Sequence, residues 1–370
     1  MNTFDTTPGT QNYDAWLVRP LTEFPETHEA FLEHLVAWAI LGASTHNTQP
    51  WRFIVEPYAS LVRFCLDPYW VLPASDKVGR QAVISMGCAL ENFLRAADYY
   101  GAPCEVEYPL VTEGYPHSLV IVRVGTPTTI GHDSHTIELM GKRRMNRKRF
   151  NPKRKVPSEI IEEIKKMVNE LGLTVHMISD WPTRIVMANA QYGADQIVLS
   201  MTNFRNELGK FFLPNDTLEK RGMPGATYGL DDEMSEKIHE ELLKKGAFDA
   251  YLAEAFPAGD LEAFKTAPLI VVVSIPEDIP YFWIAAGRAL EQIALTAQDE
   301  DLGFSVHAAM TEVAFSNEAL KIRFMSSERP TVICRLGYLP PDETIPPHSP
   351  RVSVKEVTEF KKTKMEGKRP

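Results

Sequence analysis

Two strings in this chain recur in the same order, roughly two hundred positions apart. Gly87-Cys88-Ala89-Leu90-Glu91 is echoed by Gly287-Arg288-Ala289-Leu290-Glu291, and Ala97 by Ala297 further on. Val120-Ile121-Val122-Arg123-Val124-Gly125 is echoed by Val332-Ile333-Cys334-Arg335-Leu336-Gly337. The first pair sits in helical patterns and the second in strand patterns, so the copied unit is a helix–strand assembly. At 370 residues the chain is also too long for one ordinary core. The expectation is an internal pseudo-dimer of α+β class: two fused halves, each a mainly antiparallel sheet flanked by helices, with the long helices packed where the halves meet.

The first half reads as a helix over 27–39, strands over 51–55 and 61–66, a long helix whose apolar face runs from Val83 to Ala97, and strands near 104–107 and 119–124. The second half opens at Pro157-Ser158-Glu159, with Ser158 as a candidate N-cap. Its helix runs to about Leu171, followed by strands over 174–178 and 268–274, a helix over 284–299 and a closing strand over 331–336. The expected organisation is an N-terminal arm (1–24), a first half (25–135), a second half (136–355) with an insertion at about 203–261, and a basic tail (356–370).

Several functions are disfavoured. A net charge of -10 argues against general nucleic-acid binding, which needs a basic face. The longest apolar stretch, Ala267 to Ile275, is far short of the roughly 20 residues that span a bilayer. The first ten residues carry no export signal, and Cys65, Cys88, Cys104 and Cys334 form no Cys-x-x-Cys pair. A reduced, cytoplasmic protein is expected.

The halves are unequal. Only the first carries the loop Gly42-Ala43-Ser44-Thr45-His46-Asn47-Thr48-Gln49-Pro50-Trp51, and only the second is preceded by Lys142-Arg143-Arg144-Met145-Asn146-Arg147-Lys148-Arg149-Phe150. Complementary losses of this kind imply one composite site between the halves where two once existed. From Lys142 to Lys155 there are nine basic residues and no acidic one. Such a run is either a solvated basic linker or an anion site, since guanidinium groups bind phosphate oxygens bidentately. The loop is either a capped turn or a set of amide and hydroxyl groups suited to a polar ring edge.

The loop resembles the Ala-Pro-Ser-x-x-Asn-x-Gln-Pro-Trp signature of the nitroreductase superfamily of FMN enzymes. The basic stretch resembles that superfamily's Arg-Arg-x-x-Arg…Phe opening, and their order in one chain is similar to the fused, Acg-type branch. The resemblance implies that Arg143, Arg144 and Arg147 meet the phosphate and ribityl end of FMN, and that Ser44, Thr45 and Asn47 approach the ring from the other half. It implies a further contact from Arg351, which follows Gly337-Tyr338-Leu339-Pro340, and backbone groups of Ala308, Ala309 and Met310 near the flavin N5 edge. Two positions depart from the pattern: the signature proline is Ala43, and a Ser or Thr common after the arginine pair is Met145.

No metal site is expected. His132-x-x-His135 has no supporting carboxylate or thiol cluster, and His239-Glu240 is followed by Leu243 where a second histidine would stand. There is no Gly-x-Gly-x-x-Gly or Walker loop, but NADH or NADPH could still reach an open flavin face without a domain of its own. His46 reads either as an acid or as a structural histidine, and no catalytic residue is assigned. The insertion is either a cover over the flavin or a solvated helical segment. Three functions stay open: NAD(P)H-driven two-electron reduction of a small electron-poor acceptor such as a nitro compound or quinone, FMN-dependent oxidation of a biosynthetic intermediate, or flavin binding with little turnover. The expected partner is a small-molecule substrate, without nucleic acid or membrane, and the protein is expected to be a monomer or a homodimer.

Overall fold

A computed structural model describes residues 11–109, 118–130, 134–245 and 250–361. In the first half, helix α1 (His28–Ala39) leads into strands β1 (Trp51–Glu56) and β2 (Leu61–Leu66), then helix α2 (Arg80–Tyr99) and strands β3 (Cys104–Glu107) and β4 (Ser118–Val124). The short helix α3 (His135–Lys142) carries the chain across. The second half contains α4 (Ser158–Glu170), β5 (Thr174–Ile178), α5 (Trp181–Ser200), α6 (Thr202–Phe211), β6 (Phe212–Leu213), β7 (Met223–Pro224), α7 (Asp232–Lys245) and α8 (Ala250–Thr266). It continues through β8 (Leu269–Ile275), α9 (Pro280–Asp299), β9 (Gly303–His307), α10 (Ala309–Glu312), α11 (Ala314–Phe324) and β10 (Arg329–Gly337). Helix α12 (Val354–Val357) and strand β11 (Thr358–Phe360) follow.

Two main sheets result, ordered β11-β1-β2-β4-β3 and β5-β8-β10-β9, with all their pairings antiparallel except β1 with β11, and the short strands β6 and β7 form a small parallel pair. The α+β architecture of two fused halves is therefore as the duplication implies. All seven residues of β8 are buried, because helices cover both faces of its sheet and a central strand then needs no polar side. Residues 358–360, assigned to a basic tail from sequence, instead form β11. They return from the second half to extend the first sheet, with Phe53 opposite Thr358 and Val55 opposite Phe360. Charge alone gave no sign of this, since three residues are too few to show a period. Ser158 is not the N-cap of α4. Pro157 holds that position without a side-chain cap, and Ser158 is the first helical residue.

The halves meet where α2 crosses α9. A Cβ added to Gly87 would lie 2.2 Å from the Ile284 carbonyl oxygen, and one added to Gly287 would lie 1.9 Å from that of Ile84. The two repeat glycines thus face each other across a pseudo-two-fold axis with backbone against backbone. Around them Met86, Ala89, Leu90 and Phe93 fill the core on the first-sheet side, and Ala286, Ala289, Leu290 and Ile293 the core on the other. Both sheets are thereby fixed relative to one crossing point.

In the first core His34 is held neutral. Its Nε2 is 2.9 Å from the Tyr100 hydroxyl and accepts from Trp38 Nε1 at 3.1 Å, and burial lowers its pKa to about 4.

Two outcomes follow from this packing. Gly287→Ala should lower stability by more than the usual 1–3 kcal/mol of overpacking, because backbone must move. Gly193→Ala, in α5 with no atom within 4 Å of the added Cβ, should be neutral or slightly stabilising; urea unfolding of both variants distinguishes them. For His34, a folded pKa below the unfolded one means stability is full above pH 6.5 and is lost as pH falls toward 4. About 2 kcal/mol should disappear between pH 7 and pH 5 on this account. His34→Gln should show a correspondingly shallower dependence in the same measurement.

Candidate functional site

The loop after α1 begins at Gly42, where an added Cβ would meet Ala89 N of α2 at 2.8 Å, so this end is pinned to the crossing helices. Ser44 Oγ accepts from Gln49 N at 3.1 Å and Thr45 N donates to Ser85 Oγ at 3.2 Å. Between them His46, Asn47 and Gln49 all take positive φ, at 49°, 54° and 50°. Left-handed conformations cost non-glycine residues of order 1–3 kcal/mol each, so the surroundings must over-determine the loop.

Two remote segments do so. Asn47 Nδ2 donates to the carbonyls of Gly222 and Pro350, both at 2.9 Å, and Gly222 N donates back to Asn47 O at 3.2 Å. Gln49 Nε2 donates to Lys220 O at 2.6 Å while its Oε1 accepts from Val352 N at 2.9 Å, and Arg221 Nε donates to Thr48 O at 3.0 Å. The Asn47 amide therefore holds the insertion and the C-terminal segment to the loop, a role its place in the signature did not announce. His46 lies near the rings of Phe204 and Phe211 in α6 (6.2 and 6.4 Å), and burial together with the Arg147 cation lowers its pKa to about 4. It is a neutral packed histidine.

Ser44, Asn47, Arg143, Arg144, Arg147 and Arg351 line one cleft of about 470 Å³, including the space open to solvent. The arginines come from two segments, the stretch that follows α3 and the chain just before α12. Arg143 caps α3; its Nε is 2.9 Å from Glu291 Oε1, and a further nitrogen donates to Leu41 O at 2.7 Å. Arg144 donates to Lys142 O at 3.0 Å. Arg147 donates to Thr227 O at 3.3 Å and lies 4.1 Å over the ring of Tyr228. Arg351 donates to Asn47 Oδ1 and, at 3.3 Å, to Gly42 O, 4.8 Å from the centre of the Trp16 ring. Burial and then the Arg143 cation push its pKa down to about 9, yet guanidinium remains charged in neutral solution. His348, stacked on Trp16 at 4.0 Å, is depressed to about 2 by burial and by Arg144, Arg143 and Arg351. The field in the cleft is strongly positive.

The remaining sequence-derived positions fall elsewhere. Thr45 contributes its backbone N–H to Ser85 and does not line the cleft. Ala308, Ala309 and Met310 do not line it either: Met310 is fully buried in the core on the outer face of the second sheet, and α10 packs on α5. Helices α5 and α8 cover that face; sequence patterning assigns no element to 181–200, and most of α8 falls within the insertion at about 203–261. His132 lies outside the described residues, and His135 pairs with Asp299 on the surface. Among the described residues no group of histidine, cysteine or carboxylate side chains could hold a metal.

Sequence reasoning missed several supports. Arg335, fully buried in β10, donates to the carbonyls of Arg147 and Lys148 at 3.2 and 3.3 Å and to His307 Nε2 at 2.7 Å. His307 Nε2 is thus an acceptor, which leaves Nδ1–H for Asp260 Oδ2 of α8 at 3.2 Å. Burial would raise the Asp260 carboxyl, but His307, Arg335 and Arg147 hold it below its ordinary value. Asp195 is pushed up, first by burial and then by Asp260. An arginine inside the apolar string Val332-Ile333-Cys334-Arg335-Leu336 was the available signal. Glu291, fully buried beside Arg143, was likewise visible within the repeated string.

Comparison with known proteins bears on these arrangements. An uncharacterized protein of Mycobacterium tuberculosis is 22% identical over 346 residues, covering 91% of this chain and 95% of that one. The candidate NAD(P)H nitroreductase acg of the same organism is 37% identical over 76 residues, covering 20% of this chain and 22% of that one. The solved structure of the FMN-dependent nitroreductase NfnB from Mycobacterium smegmatis in complex with NADPH aligns with a TM-score of 0.40 and 15% identity, over 62% of this chain and 98% of that one. The family model described as "Nitroreductase family" matches residues 140–338. That match takes in the basic stretch, the second sheet and α9, more than half of the chain, and so this protein belongs to the nitroreductase family.

Proposed function

We propose that the cleft between the halves holds one FMN and that the protein is a flavin oxidoreductase of this family, transferring electrons from NADH or NADPH to a small electron-poor acceptor of the nitro or quinone type. The observation that carries the reading is the convergence of four arginines, three from the stretch after α3 and one from the C-terminal segment, opposite the Ser44–Asn47 loop of the first half, in a chain whose net charge is -10. Arg351 Nε is buried without a partner in the structure, a donor that a phosphate oxygen would satisfy. The donor set fits a phosphate monoester.

On this reading Arg144, Arg147 and Arg351 hold the phosphate end, with Arg143 fixed behind them by Glu291. Ser44 and the strained Asn47 loop supply the opposite wall. FMN would supply the two-electron redox chemistry. The chain orients it, places positive charge beside it and excludes water through Trp16, Met223 and Pro347. No helix among the described residues is long and apolar enough to cross a membrane, and the four free cysteines suit a reducing, cytoplasmic setting.

A second reading, flavin binding with little turnover, draws on the mutual hydrogen bonds of Asn47 and Gly222, which pin the insertion across the loop. Stopped-flow mixing of the flavin-loaded protein with NADH and NADPH separates the two. Bleaching of the flavin band followed by acceptor turnover is expected; a band indifferent to both nucleotides favours the second reading.

Heat release and chromatography should yield one FMN per chain, and two flavins, or FAD, would overturn the composite cleft. Arg147→Ala removes one charge-assisted contact, worth roughly 1.5–3 kcal/mol. FMN affinity should fall by roughly 10- to 100-fold while riboflavin affinity changes little; equal losses would mean that Arg147 does not read the phosphate.

A further inference from the structure

We propose that Glu291 is the positioning residue that holds the two halves' contributions to the cleft in register, an inference that rests on the FMN reading above. Glu291 lies one helical turn beyond Gly287 on α9 and is fully buried. Its Oε1 stands 2.9 Å from Arg143 Nε, and its Oε2 accepts from Ala43 N at 3.1 Å. One carboxylate therefore touches the residue that opens the arginine-rich stretch and the residue just before Ser44. These belong to different halves, and nothing covalent within the cleft fixes their separation.

The Ala43 departure gains a meaning here. Where the resembled signature has proline, a residue without an N–H, this chain has a backbone donor, and that donor is the one Glu291 accepts. A buried N–H without an acceptor would be costly, so the substitution and the carboxylate are matched. Stiffness that proline would supply by its ring is supplied instead by a bond across the interface.

The repeat provides an internal control. Glu91 holds the equivalent place on α2, and its carboxylate accepts from Arg288 Nε at 3.0 Å, Arg95 Nε at 2.9 Å and Gln292 Nε2 at 2.9 Å. All three partners lie on α2 or α9 themselves. The same acid in the same place is satisfied by the helices alone and touches neither loop nor arginine stretch.

The test compares Glu291→Gln, Glu291→Asp and Glu91→Gln in the full chain, with FMN and riboflavin affinities from fluorescence titration and thermal midpoints alongside. Glutamine keeps one acceptor oxygen and cannot serve both Arg143 and Ala43 as a carboxylate does. Glu291→Gln should weaken FMN roughly tenfold or more, with a smaller loss for riboflavin, whereas Glu91→Gln should lower the thermal midpoint and leave both affinities as in the wild type. Equal affinity losses in the two glutamine variants would reduce Glu291 to a structural acid and overturn the proposal. So would unchanged or tighter FMN binding in Glu291→Gln, the result expected if the carboxylate only offsets the Arg143 charge. If Glu291→Gln does not fold, Glu291→Asp decides, because it keeps a carboxylate beside Arg143 while its shorter side chain cannot reach both Arg143 and Ala43 N: weakened FMN supports the proposal and wild-type affinity overturns it. A wild-type chain that binds no FMN overturns the functional reading itself, a result seen before any variant is made.

Discussion

The contact on which everything else depends is that of α2 and α9 at Gly87 and Gly287. With no side chain between them, the two backbones approach closely enough for Ile84 and Ile284 carbonyls to fill the space where Cβ atoms would stand. That approach draws the two sheets against a common pair of helices and brings the end of α1, the end of α3 and the middle of α9 into one neighbourhood. The cleft is a by-product of this crossing. A wider separation would leave Arg143 and Glu291 out of reach of each other and would open the loop that begins at Gly42.

Symmetry at the crossing contrasts with asymmetry around it. Each repeated position has diverged toward one of two uses. Glu291 reaches out of its helix to the loop and the arginine stretch, while Glu91 is closed off by Arg288 and Arg95. Arg335 is buried beneath the carbonyls of Arg147 and Lys148, whereas its counterpart Arg123 lies on the surface beside Glu105 and bonds Ala59 O. At Cys88 the thiol donates to Gly287 O, the place where the other half carries Arg288.

Much of the scaffold was legible because it is local. The strands 61–66 and 174–178 agree with the structure residue for residue, and the two long helices were marked by apolar faces of period 3.6. The convergence of Ser44, Asn47 and the arginines was legible for a different reason, since complementary losses in a duplicated chain point to one shared place. What escaped notice depends on distant segments. Among the described residues the span from Trp181 to Thr266 holds four helices; in α5 and α8, which cover Met310, apolar residues are spread around the helix and not gathered on one face, so no period stood out. The Asn47 amide could be assigned a donor and acceptor inventory from sequence, but its partners Gly222, Pro350 and Arg351 are separated from it by at least 175 positions. Pairing across such distances leaves no local trace.

The parallel pairing of β11 with β1 has a consequence in time. Strand β1 is made early in synthesis and already pairs with β2 on one side, but its other edge has no partner until residues 358–360 emerge, after the whole second half. Arg351, Val352 and Pro350, which hold the Asn47 loop, arrive just before them. An apolar strand edge left open is a template for unwanted pairing with other chains. The order of translation thus leaves the nascent first half exposed to aggregation for most of its synthesis. The same few residues that complete the cleft also end that exposure, so a ribosome that stalls before residue 350 releases a chain that lacks both the site and the protection of its sheet.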